Sequence, residues 1–202
     1  MKNLLFLFVI SLFLISSSFA QFKKGDFEFS FSGAFSSMTV ENTSSGTYDI
    51  HPYSETRSTA GISFSPGFYL LDNFSIEAEI GIAAVQSMQP SQYVLINLSY
   101  TYLLPESKTA LFAHAGYGLS NSVAISYLNN AISFTSDKFN VKVLNFGAGI
   151  KYLISSTVLL HTEVNYRQHL WTNDYESMGY YNYSVDNKIT NISLIFGFSI
   201  FI

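Results

Sequence analysis

From residue 26 to the C-terminus the chain is written with a period of two. Between 26 and 40, Phe27, Phe29, Phe31 and Phe35 alternate with Glu28, Ser30, Ser32, Ala34 and Ser36. Successive side chains of a strand point to opposite faces, so this segment predicts a strand with one oily and one polar face. Ile62, Phe64, Phe68 and Leu70 alternate in the same way with Ser63, Ser65, Gly67 and Tyr69. Phe74, Ile76, Ala78, Ile80 and Ile82 alternate with Ser75, Glu77, Glu79 and Gly81. The pattern returns at 94–102, 111–119, 144–152, 158–167 and 191–202. Together these segments predict an all-β chain of eight strands.

The connections differ in length. Leu71-Asp72-Asn73, the stretch 104–109 and Ser155-Ser156 read as tight turns. The links around 42–57, 124–139 and 172–188 are long and polar, and the one around 86–92 is shorter. Short turns on one side and longer loops on the other fit an up-and-down barrel. Each strand is long enough to cross a bilayer when tilted, which takes about 9–11 residues.

Residues 1–20 are of another kind. Lys2 is followed by an almost unbroken apolar run from Leu4 to Ile15, and Ser18-Phe19-Ala20 places small residues before Gln21. This is the layout of a cleaved Sec signal peptide, so the expected domains are a leader over 1–20 and a barrel over 21–202. After the leader, no stretch approaches the length of a spanning helix.

Composition narrows the class. Charged residues are 12% of the 202 and aromatics 17%, with a net charge of −4. A soluble enzyme ordinarily carries about twice that share of charge. A mildly acidic chain gives nucleic acid no basic patch. The absence of Cys excludes disulfides, thiolate metal sites and a Cys nucleophile.

The two faces then choose their media. The polar face is rich in Gly and Ser, which suit a narrow interior, and the oily face carries Phe, Tyr, Leu and Ile, which suit lipid. In lipid every backbone group must be paired, so the sheet has to close on itself. A soluble eight-stranded barrel would show the opposite arrangement. Tyr100, Tyr102 and Tyr152 near the short turns, and Tyr117, Tyr166 and Trp171 near the long loops, are expected to form two aromatic girdles.

These features resemble the small OmpA/OmpX-type outer-membrane β-barrel family. The segment Ser65-Pro66-Gly67-Phe68-Tyr69-Leu70-Leu71-Asp72-Asn73-Phe74-Ser75-Ile76-Glu77-Ala78-Glu79 carries the likeness, as does the ending Phe196-Gly197-Phe198-Ser199-Ile200-Phe201-Ile202. The resemblance implies an eight-stranded antiparallel transmembrane barrel in the bacterial outer membrane, surrounded by lipid and lipopolysaccharide. It also implies a C-terminal signal for the barrel-assembly machinery, at Phe196, Phe198, Ile200 and Ile202. The family signal usually ends in Phe, whereas this chain ends in Phe201-Ile202.

The chemistry to be expected lies inside. Glu28, Glu77, Glu79, Glu163, Lys151, Arg167, His114 and His161 fall on the inner face. Buried charges persist when paired. Lys151 and Arg167 are therefore expected to be held by Glu77, Glu79 and Glu163 in a lumen charge network. No catalytic, cofactor or metal site is expected. Some barrels of this size act on lipid A through Ser, His and Glu, but here His161 and Glu163 flank Thr162, His169 stands in no Ser motif and His51 lies in the first loop. His161 and Glu163 are simply neighbours on one strand face, not a metal set. Gly116-Tyr117-Gly118 and Gly147-Ala148-Gly149 lack the strand–loop–helix context of phosphate loops.

Tyr175, Tyr180, Tyr181 and Tyr183 give the stretch 172–188 the composition of an adaptable contact surface. The sequence thus favours a structural or surface-interaction role, adhesion- or receptor-like, with an unidentified extracellular ligand and no catalysis. The competing reading is a narrow channel or transporter for small or apolar molecules, and behind it a lipid A-modifying enzyme. Edman sequencing of the protein from outer membranes should begin at Gln21. A start at Met1 would show the leader to be a retained anchor.

Overall fold

The computed structural model describes residues 22–45, 53–85, 90–121, 139–177 and 181–202. The leader, His51 and Tyr180 lie outside them. Eight strands run in chain order: β1 (Phe27–Ser45), β2 (Tyr53–Leu71), β3 (Phe74–Val85), β4 (Ser91–Leu103), β5 (Thr109–Asn121), β6 (Phe139–Leu153), β7 (Val158–Ser177) and β8 (Tyr181–Phe201). Each pairs antiparallel with the next, and β8 returns to β1, so the sheet is a closed barrel. The closing seam runs from Glu28 opposite Phe201 to Ser45 opposite Ser184.

The short turns form where the sequence places them. Asn73 takes the left-handed conformation at φ 67°, which asparagine tolerates, and so turns β2 into β3. Its N–H donates to the Phe22 carbonyl at 2.7 Å. At the β4–β5 turn Glu106 is left-handed too, at φ 53°. Between Phe64–Ile80 and Gly67–Glu77 the β2–β3 ladder is interrupted, because Pro66 has no N–H to give.

The outward side chains form the expected oily belt. Phe31, Phe35, Ile62, Ile80, Leu98, Leu111, Phe146, Val164, Leu194 and Phe198 are all exposed, with Phe35 at 70% and Ile62 at 69%. Tyr100, Tyr102, Tyr117, Tyr152 and Tyr166 stand among them. Trp171 departs from the girdle. It keeps the inward parity of Arg167 and His169 and lines the mouth of the lumen. The belt also carries Phe196, Phe198 and Ile202, the last 81% exposed, while Phe201 between them turns inward.

Inside, the barrel is too narrow for a side chain at every position. A Cβ on Gly81 would strike the Tyr93 ring, and one on Gly147 would strike His114. A Cβ on Gly149 would meet the backbone of Thr162. The first two are spaces taken by a neighbouring strand's large residue, and the third allows a close backbone approach.

The long polar links expected at 42–57 and 172–188 are in good part strand. β1 continues to Ser45, β2 starts at Tyr53, and β7 and β8 reach Ser177 and Tyr181. Tyr175 sits opposite Tyr183, and Ser177 opposite Tyr181, in the β7–β8 ladder. These segments are rich in polar residues, so the alternation of large apolar and polar positions fades there although backbone pairing persists. β7, β8, β1 and β2 have 20, 21, 19 and 19 residues, against 12 and 13 for β3 and β4. One side of the barrel therefore stands roughly 25 Å longer along its strands.

Removing Phe198 to Ile202 deletes the β8 partners of Glu28, Phe29, Ser30 and Phe31. In hydrocarbon each unpaired backbone group costs several kcal/mol. The truncated chain should be degraded before insertion. Heat-modifiable migration like that of the full protein would contradict this.

Candidate functional site

The inner face is built in levels from the short-turn end upward. At the base, Phe22 folds under the barrel and packs with Tyr69, Ala110, Leu153, Leu159 and Phe201. Its ring centroid lies 5.5 Å from that of Phe201 and 5.8 Å from that of Tyr69. The segment is tied down by the Gly25 N–H donating to the Tyr69 carbonyl at 2.9 Å and the Lys24 N–H to Asp72 Oδ1 at 2.9 Å. This is an apolar seal.

Directly above it lies the first ion pair. Lys151 Nζ donates to both carboxylate oxygens of Glu28 at 2.8 Å, and the Tyr69 hydroxyl donates to Glu28 Oε2 at 2.8 Å. The ammonium also stands 5.2 Å from the Phe112 ring centroid and 5.7 Å from that of Phe22. Lys151 is thus held by Glu28, not by Glu77, Glu79 or Glu163. β1 closes against β8, and this brings Glu28 round to face β6.

A small polar chamber follows, with a volume of about 40 Å³. Ser30, Ser32, Ser63, Ser65, Glu77, His114, His161 and Glu163 line it. Glu163 meets His114 Nε2 at 3.3 Å and accepts from Asn165 Nδ2 at 3.2 Å. Glu77 accepts from the Ser75 hydroxyl at 2.9 Å, and among the described residues no cation lies within ion-pairing distance of it. A polar cavity of this size accommodates water, which is what such a carboxylate needs.

The second ion pair roofs the chamber. Arg167 Nη2 donates to Glu79 Oε1 at 2.9 Å and Arg167 Nε to Asn145 Oδ1 at 3.1 Å. The guanidinium lies 4.1 Å from the Tyr93 ring centroid. Glu79 also accepts from the Tyr93 hydroxyl at 2.9 Å and from Asn97 Nδ2 at 3.1 Å, and Asn145 Nδ2 donates to Asn97 Oδ1 at 2.9 Å. Four strands (β3, β4, β6 and β7) meet in this cross-brace. Above it a shallow cup opens at the long-connection end, walled by Met38, Tyr93, Val141, Trp171 and Ile189.

The residues expected inside all face the lumen, but they fall into separate groups. Arg167 joins Glu79, Lys151 joins Glu28, and Glu163 joins His114. Two Ser–His contacts also form that spacing along the chain did not show. Ser32 Oγ lies 2.9 Å from His161 Nε2, and Ser120 Oγ lies 3.0 Å from His169 Nδ1. Each contact reaches past an intervening strand. The one available signal was shared inward parity, which leaves height and azimuth open. Among the described residues no carboxylate hydrogen-bonds either imidazole, so neither pair has the orienting acid of a hydrolytic triad. The candidate contact residues Tyr175, Tyr181 and Tyr183 lie on the tall β7–β8 hairpin.

No family model matches the chain, and no curated protein sequence matches it. Solved structures do. The outer membrane protein OprG from Pseudomonas aeruginosa superposes with a TM-score of 0.53 over 92% of this chain and 99% of its own, at 15% identity. Neisserial surface protein A gives 0.48 over 84% and 96%, at 14% identity. At such identities the likeness is one of fold, that of the small eight-stranded outer-membrane β-barrels.

Replacing Arg167 by Ala leaves Glu79 buried without its cation. Breaking a buried pair on one side costs about 3–5 kcal/mol. Tyr166→Phe, on the outward face, should cost less than about 0.5 kcal/mol. Urea-unfolding midpoints in micelles check the contrast. Equal midpoints for Arg167→Ala and the wild type would show that the cross-brace adds no stability.

Proposed function

We propose that the protein is an integral outer-membrane barrel with a surface-interaction role, adhesion- or receptor-like, and no catalysis. The observation that carries this reading is the obstruction of the axis at three heights: the Phe22–Phe201 seal, the Lys151–Glu28 pair and the Arg167–Glu79 cross-brace. A barrel blocked in this way has its two ends and its outer wall left for function. The tall β7–β8–β1–β2 side carries Tyr175, Tyr181 and Tyr183 on its paired backbone at the long-connection end. The resemblance to OmpA/OmpX-type barrels agrees with this reading. Among the described residues no carboxylate orients His161 or His169, which speaks against hydrolysis.

In this reading the leader over 1–20 is removed and the barrel is the domain 21–202. Phe196, Phe198, Ile200 and Ile202 form the signal for the barrel-assembly machinery. The Phe22 end faces the periplasm, and the long connections face outward among lipopolysaccharide. Planar-bilayer recordings of the refolded protein should show no stable single-channel steps. Steady steps from the wild type would favour the channel reading. Cells displaying the barrel should adhere to host-cell or abiotic surfaces more than cells lacking it. Brief proteolysis of the intact cells should cut in the connections between β1 and β2, β5 and β6 or β7 and β8 and remove the gain. Cleavage at Asp72-Asn73 or Ser155-Ser156 under those conditions would invert the topology.

A further inference from the structure

Nine glycines of the described strands can be sorted by the face they serve, and Gly33 alone faces outward. The inner ones make room for a neighbour across the lumen or beside it. Gly33 makes room for nothing in the protein. A Cβ built there meets only the Gly61 carbonyl oxygen, at 4.0 Å. Its backbone is not left-handed, since Gly25 is the one glycine described with positive φ. Neither conformation nor internal packing calls for glycine at this position, where a strand ordinarily gains from a large residue.

The missing side chain lowers the floor of a depression in the oily belt, which runs on over β2 to Ile80 and Ile82 of β3. Gly33 sits between Ile62 on β2 and Phe196 on β8. Phe31, Phe64 and Phe198 form a wall on its short-turn side, with ring centroids 4.8 Å and 5.3 Å apart across the strands. The depression is open to the outside along its length and has an almost wholly apolar lining. It is continuous with the outward belt on every side, and that belt is the face turned to hydrocarbon.

From this we infer that the Gly33 depression is a binding site for one acyl chain of a membrane lipid, held apart from the lipid that merely surrounds the barrel. The inference rests on the membrane reading above. The chain is recognised by shape and apolar contact. Its methylenes fill the space that a side chain at position 33 would occupy, and the flat Phe rings confine it laterally. The aromatic wall loses little conformational freedom on binding, because its rings already pack against one another across β2, β1 and β8.

The test uses the mature barrel refolded in detergent micelles containing dipalmitoyl phosphatidylethanolamine, with masses read by native mass spectrometry after the micelle is stripped. The wild type should carry one lipid on most molecules. Gly33→Leu occupies the floor of the depression, and its adduct fraction should fall about tenfold, the effect of losing roughly two buried methylenes. Val164→Leu, an outward exchange on β7, should leave the adduct unchanged. Heat-modifiable migration confirms that each variant is folded. If Gly33→Leu fails that check, Ile62→Phe narrows the same depression from β2 and takes its place. A wild type without adduct, or an adduct that survives both substitutions, overturns the site. A dimer abolished by Gly33→Leu assigns the depression to a second copy of the chain instead. Protein that stays monodisperse without detergent overturns the membrane reading itself and the lipid site with it.

Discussion

The whole structure depends on closing the hydrogen-bond ladder. A sheet whose outer face is oily cannot leave an edge, because unpaired N–H and C=O groups have no water to turn to in hydrocarbon. With eight strands the sheet satisfies this by joining β8 to β1. Closure at eight fixes the bore, and the bore is only wide enough for side chains to fill. The placing of glycine follows. Gly81 and Gly147 lie where a large residue from a nearby strand needs the space, and Gly149 where the neighbouring backbone comes close.

A filled bore then dictates what the inner charges can do. Burying an ion is costly unless a partner and further hydrogen bonds replace its water. Glu79 meets that demand with an arginine, a tyrosine and an asparagine, and Glu28 with a lysine and a tyrosine. Such pairs need not add net stability over an apolar filling. They do fix which strands face one another, since each ties strands that are not neighbours in the sheet. They also remove the axial path. Phe22 completes the obstruction from outside the strands, and a residue next to the expected cleavage point thus becomes part of the barrel floor.

With the axis blocked, the outer wall and the ends carry the differences between one barrel and another. Here the wall is uneven. β7, β8, β1 and β2 rise well beyond β3 and β4, and the sequence of their far ends is rich in polar residues. Lower down, the belt is continuous except at Gly33, where a strand position gives up the side-chain contact it could have made.

The period of two, the even strand number, the tight turns and the polarity of each face were all legible in the chain, because a strand's side-chain alternation is local and lipid demands it without interruption. Glu28, Glu77, Glu79, Lys151, Glu163 and Arg167 could be read as inward for the same reason. Their partners could not. Parity assigns a face, whereas pairing depends on height and on position around the cylinder, and both are set by register and stagger. So Lys151 found Glu28 across the closure seam, Ser120 found His169 past β6, and Trp171 turned into the mouth instead of joining a girdle. The continuation of the strands through 42–45 and 172–177 was hidden as well, because beyond the oily belt the backbone goes on pairing while the side chains no longer have to alternate.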